Sequence, residues 1–338
     1  LRHFSSARNL RHEIEYKLGI GGALAGAATL GCVTTGLPHA IVGDRIFPVT
    51  LAIDDPGVAD ELSLPTFSRF TNSDGSIETD VSFEYDKLIT KDFALSISDT
   101  WTHVHPGGDG FQNLQLGAKY HLYSNEPHEF MLSVGVNVGI GGTGAARVGA
   151  ANFSTITPAV FFGKGFGDLP DDLMWLKPAA ITGEIGVGFP NPWKKTTIGI
   201  DTTSCDVTMT ASGICGFDVN TTHNPVFLNW GLTFQYSLPY LNAHVRQIDG
   251  PDFLRNLTPI VEAAFQSPIA NSAGTGARTT GTINPGIIYS ADTYQITVEA
   301  MVPVNKASGK HVGVIAQLHF FLDDIFPNSL GKPLFSEH

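Results

Sequence analysis

The sequence predicts an all-β chain: a transmembrane antiparallel β-barrel of about twelve strands, with ten or fourteen as the alternatives. Three observations carry that prediction. Segments of period two recur from residue 61 to residue 321, each with one greasy row and one row of small or polar residues. The segments run for nine to thirteen residues. A tilted membrane-spanning strand needs about 9–11 residues, whereas a soluble sandwich strand has about five or six. Charged residues make up only 15% of the chain, against about 25% in an ordinary soluble domain. The polar rows are therefore too weakly charged to be a solvent face. They suit the inside of a barrel.

Residues 1–40 read as a secretory signal. Arg2, Arg8, Arg11 and Lys17 precede the small-residue apolar run LGIGGALAGAATLGCVTTG, and LPHA then ends at Ala40. A retained N-terminal membrane helix and a lipoprotein signal at Cys32 are the alternatives. Cleavage after Ala40 would remove four basic and two acidic residues, taking the net charge from −12 to −14. That balance excludes nucleic acid as a partner, because its phosphates repel an acidic surface.

Residues 41–60, IVGDRIFPVTLAIDDPGVAD, are apolar and then acidic. They predict a periplasmic lead-in or a plug folded into the lumen. The barrel is expected over 61–322, with strands near 61–70, 78–88, 92–103, 111–123, 128–140, 153–163, 177–189, 225–238, 255–266, 281–290, 293–304 and 311–321. The stretch HEFMLSVGVNVGIGG shows the pattern at its clearest: Phe130, Leu132, Val134, Val136, Val138 and Ile140 alternate with Met131, Ser133, Gly135, Asn137 and Gly139. Greasy residues meet lipid and small polar ones face inward. In hydrocarbon an unpaired backbone group costs several kcal/mol, so such a sheet must close on itself.

Pro65 weakens the first strand, and Pro158, Pro178, Pro259 and Pro285 are expected at strand starts or bulges. LITKD, YSNEPH and YSADTY read as short periplasmic turns that alternate strictly with longer outer loops rich in Gly, Thr and Asn. Trp101, Tyr120, Tyr123, Tyr236, Tyr240, Tyr289 and Tyr294 fit aromatic girdles. Residues 323–338 form a C-terminal tail.

The outer loop at 190–224 contains Cys205 and Cys215, which in an exported chain read as a disulfide pinning a loop. Candidate lumen-lining residues are Glu84, Lys119, Glu184, Asn229, Gln235, Glu262, Glu299 and Gln317. Their acidic excess favours cations or neutral solutes. The bland alternative is a set of Lys–Glu braces. His103 and His105 share a face but lack a third ligand, so no metal is expected, and no cofactor or catalytic residue either. Ser98, Asp99, His103 and His105 lie near one rim, yet no GxSxG elbow or nucleophile–base spacing accompanies them.

FPVTLAIDDPGVADELSLPTFSRF (47–70), GFQNLQLGAKYHLYSNEPHEFMLSVGV (110–136) and the strand–turn order after them resemble the outer-membrane proteins grouped as transporters of the MetA pathway of phenol degradation. The resemblance is diffuse over most of 45–322. It implies a porin-type barrel passing small, often aromatic or hydrophobic, molecules, and it assigns no functional residue. The ending departs from it: LDDIFPNSLGKPLFSEH follows Phe321, so Phe335 is near the C-terminus but not at it. The expected function is a channel for passive diffusion or uptake in the outer membrane of a Gram-negative-type bacterium. Its partners would be the lipid bilayer, lipopolysaccharide and a small-molecule solute. A structural or adhesive barrel with a closed lumen and an outer-membrane hydrolase are the alternatives.

Overall fold

The computed structural model of the protein describes residues 40–201, 216–271 and 278–335. Twelve antiparallel strands form the wall: β1 (Glu61–Thr71), β2 (Ile77–Thr90), β3 (Phe93–His105), β4 (Gln115–Asn125), β5 (Phe130–Gly139), β6 (Ser154–Gly165), β7 (Ala179–Asn191), β8 (Val226–Tyr236), β9 (Leu257–Ala270), β10 (Thr280–Ser290), β11 (Tyr294–Pro303) and β12 (His311–Phe321). Each pairs with its neighbour in sequence, and β12 returns to β1, with Phe321 opposite Glu61 and His311 opposite Thr71. The sheet is thus a closed barrel without free edges. All twelve lie where the alternation predicts them, within a few residues.

The alternation is inverted relative to a soluble sheet. Along β8, Leu232 and Phe234 are 48% and 49% exposed, while Thr233 and Gln235 between them are 0% and 1% exposed. Leu95, Leu116, Val160, Ile185, Ile287 and Val298 continue the exposed apolar belt around the wall. A surface of this kind is solvated by lipid. No described helix is long and apolar enough to cross a membrane; the strands do the crossing.

Pro178 and Pro259 lie at strand starts as expected, but two other prolines lie deeper. Pro158 and Pro285 are mid-strand, opposite Val136 and Val261. Both are tolerated because the ladder on their other side is interrupted. β6–β7 pairing jumps from Gly186↔Ala159 to Phe189↔Ile156, and β10–β11 pairing from Ile283↔Val302 to Gly286↔Glu299. A residue without an N–H costs nothing where no ladder bond is due. Pro65 sits in a bulge that shifts the register of β1 against both neighbours between Ser63 and Thr66.

The strict alternation of short turn and long loop does not hold. Three connections at the end carrying the chain ends are short, but 166–178 and 237–256 at that same end are long and contain short helical turns. At the opposite end the β1–β2 and β11–β12 connections are short, and the 192–225 loop carries its own hairpin, Lys194–Asp201 paired with Gly216–His223. Cys205 and Cys215 lie outside the described residues, as do residues 1–39.

Residues 40–60 precede β1 and run inside the barrel. A small hairpin, Ile41–Val42 against Arg45–Ile46, sits at the end that carries the chain ends. One apolar cluster joins Ala40, Val42 and Phe47 to Met131 and Ala180 of the wall. A second joins Val58 to Leu88 and Ala94. The tail folds back beneath the barrel, where the backbone N–H groups of Leu334 and Phe335 donate to the carbonyls of Leu88 and Ile89.

Candidate functional site

Inward-facing residues alternate with lipid-facing ones, so each strand delivers its polar row to the lumen. The internal segment is held there by polar contacts from five different strands. Lys119 of β4 donates to Asp54 Oδ2 at 2.6 Å and to the Asp55 carbonyl at 3.1 Å. Glu184 of β7 accepts from the Asp54 N–H at 3.0 Å. Both oxygens of Glu262 on β9 are engaged, accepting from Leu51 N–H at 3.1 Å and Ala52 N–H at 2.5 Å. Gln295 of β11 donates to the Val49 carbonyl at 2.7 Å, and Ser133 of β5 to the Pro56 carbonyl at 2.5 Å.

Close approach depends on two glycines in the wall. A Cβ at Gly231 would stand 2.3 Å from Ile53 Cγ2, and one at Gly163 would stand 2.9 Å from the Phe47 ring. A side chain at either place would push the segment off the wall.

At the rim that carries the chain ends a buried cluster ties the base of the segment down. The Arg45 guanidinium lies 2.9 Å from Glu129 Oε2, donates to the carbonyls of Pro178 and Lys177, and stacks 3.9 Å over the Tyr240 ring. The Gly167 N–H donates to the same Glu129 oxygen at 2.9 Å. Tyr240 therefore belongs to this cluster and not to an aromatic girdle. Asp60, fully buried, accepts from Lys87 Nζ at 2.6 Å and from the Leu88 N–H at 2.9 Å, fixing the point where the internal segment becomes β1.

Above the segment the lumen opens into two communicating cavities of about 330 Å³ and 380 Å³. Both are bordered by Asp54, Glu84, Asp86, Lys119 and Glu184. Asp55, Glu61 and His319 border the first alone. Lys119 is the only lysine or arginine on either lining among the described residues, and Asp54 already neutralises it. Acidic side chains thus outnumber cationic ones on both linings.

The structure places the eight lumen candidates in two groups. Glu84, Lys119 and Glu184 border both cavities, Asn229 borders the second and Gln317 the first. Glu262, Gln235 and Glu299 face inward but are 0%, 1% and 1% exposed and border neither cavity. Asp86 shares the parity of Glu84 and was legible from it. Asp54 and Asp55 gave only an acidic flag in an irregular stretch. His319 comes to 2.8 Å from Ser63 Oγ and 3.4 Å from Glu61 Oε2 through the bulges in β1 and β12, which no sequence pattern announces.

At the outer rim His103 is exposed and stacks on Trp101, so it does not meet Ser98 or Asp99 as a base would. No group of three or more His, Cys, Asp or Glu among the described residues is arranged to hold a metal.

No family model matches the chain, and no curated protein does. Among solved structures it is similar to the KdgM porin, with 10% identity over 77% of this chain and 98% of that one and a TM-score of 0.40. The NanC porin gives 8% identity over 77% and 98%, with a TM-score of 0.40. LpxR from Salmonella typhimurium gives 8% over 77% and 99%, with a TM-score of 0.38. These likenesses concern the barrel fold alone. Localisation follows from closure together with the apolar belt, because an edge-free sheet with greasy residues outside is the β solution to spanning a bilayer. The protein is an outer-membrane barrel.

Proposed function

We propose that the protein is a passive channel for small solutes, narrowed by residues 47–60 and selective for cations and neutral polar molecules. The observation that carries this reading is the set of acidic side chains Asp54, Glu84, Asp86 and Glu184 that border both cavities with a single ion-paired lysine. Rings of acidic side chains select cations in water-filled pores. Each cavity falls within the range of about 300–1,000 Å³ typical of small-ligand sites. Twelve strands enclose a bore between the side-chain-filled eight-stranded barrel and the open sixteen-stranded porin, and the internal segment reduces it further. The resemblance to the MetA-pathway transporters would suggest aromatic cargo; the Ser, Thr and carboxylate lining favours a hydrated solute instead.

Planar-bilayer recording tests this. Discrete conductance steps are expected, with a reversal potential in a KCl gradient that reports cation preference. The variant Gly231→Leu, whose side chain would push the segment off the wall, should raise the conductance. A silent wild-type protein, or anion preference, would overturn the proposal.

A further inference from the structure

Four consecutive apolar side chains at the end that carries the chain ends are exposed over about half of their surface or somewhat less. In the 166–178 connection, Asp171–Leu176 forms a short helical turn with no buried residue. Leu173, Met174, Trp175 and Leu176 are 42%, 39%, 47% and 52% exposed. A contiguous apolar patch of this kind marks a contact surface.

Its position identifies what it contacts. Tyr236 Oη donates to the Trp175 carbonyl at 2.9 Å. Tyr236 ends the outward row of β8 that contains Trp230, Leu232 and Phe234. The turn is therefore tied to the outer, lipid-facing side of the wall at its rim, and not across the lumen. The patch continues the membrane belt.

The polar groups around it are ordered as an interfacial segment requires. Asp171, at the start of the turn, has its side chain 98% exposed and is held by Lys177 Nζ at 2.7 Å. The Arg246 guanidinium, from the 237–256 connection, lies 6.0 Å over the Trp175 ring. Exposed apolar side chains beside cations and an aromatic ring are the combination that seats a segment among lipid headgroups.

We propose that residues 171–176 are a membrane-surface anchor, with Leu173–Leu176 entering the headgroup–acyl boundary of the periplasmic phospholipid leaflet and Lys177 and Arg246 near the phosphates. The anchor has a consequence inside the barrel. Arg45 donates to the carbonyls of Lys177 and Pro178, immediately after the turn. Lipid contact outside thereby steadies the base of the internal segment. This inference stands whether or not the lumen conducts.

Depth-dependent quenching tests it on the full chain in phosphatidylcholine vesicles. Trp101, Trp193 and Trp230 are replaced by Phe, leaving Trp175 as the sole emitter. Lipids brominated close to the headgroup should quench Trp175 strongly, lipids brominated at the chain end weakly, and acrylamide should quench it less than free tryptophan. The variant Leu173→Gln, Leu176→Gln should keep the heat-modifiable gel mobility of a folded barrel but lose most of the bromine quenching. Absent quenching by bromolipid, stronger quenching by the deep label, or undiminished quenching in the Gln variant would each overturn the proposal. So would shielding from acrylamide that appears only at high protein-to-lipid ratio, which would assign the patch to a second copy.

Discussion

Lys119 Nζ lies 2.6 Å from Asp54 Oδ2, joining the wall of the barrel to the segment that crosses its interior. This contact is one of those that hold the segment, and it pairs the single cation on the cavity linings. Replacing Lys119 with Gln removes the cation and leaves the surrounding carboxylates. The expected outcome is more frequent openings and a reversal potential shifted further toward the cation limit, measured in single-channel recordings.

Glu262 should govern how firmly the segment is seated. Its carboxylate accepts from two consecutive backbone N–H groups, those of Leu51 and Ala52. Hydrogen bonds to a charged group contribute about 1.5–3 kcal/mol each. Glu262→Gln keeps the shape and loses the charge, so the amides of Leu51 and Ala52 should exchange with deuterium about ten-fold faster or more. Unchanged exchange would show that the packing of Phe47 and Ile53 is enough to hold the segment.

The Arg45–Glu129 pair is the most buried ion pair among the described residues, with side chains 1% and 7% exposed. Arg45→Ala would leave the Glu129 carboxylate buried without its cation, a change that costs about 3–5 kcal/mol. Expected are a lower unfolding temperature in detergent and rapid proteolysis of the segment from residue 40. Arg45→Lys restores charge but cannot make the forked contacts to Glu129, Lys177 and Pro178, so recovery should be partial.

Asp168, in the periplasmic connection after β6, gives a pH dependence. Partial burial works to raise its pKa, but hydrogen bonds from His128 at 2.9 Å and from Lys164 outweigh it and hold the carboxyl below the usual range. A carboxylate whose folded pKa lies below the unfolded value of about 3.9 contributes stability above that value. The contribution is lost as pH falls through the folded pKa. Proteolysis of the 166–178 connection should therefore accelerate in acid below about pH 4, and Asp168→Asn should show the faster rate at neutral pH already.

How much could be read without coordinates depended on the range of the signal. Each strand announces itself in ten or so residues, because lipid on one side and lumen on the other impose a two-residue period that neighbours in sequence share. All twelve were legible for that reason, β1 included despite Pro65. The path of residues 47–60 was not. Ala52 meets Glu262 across 210 positions of sequence, and Asp54 meets Glu184 across 130. An irregular segment has no period to betray its partners. The same holds for Glu129, which falls inside the strand expected over 128–140 but adopts φ 46° at the end of a short helical turn. The parity of the eight inward candidates was visible; which of them a covering segment would seal was not.

Because the first strand pairs with the last, the cylinder seals where the two ends of the chain meet, and residues 40–60 lead straight into that seam. Hydrocarbon penalises every unpaired backbone group, so the ring cannot linger half-zipped in the bilayer. The leading stretch must already be tucked within the curling sheet when the seam zips. Its seating is decided during assembly, and a chain that closed too early would strand it outside.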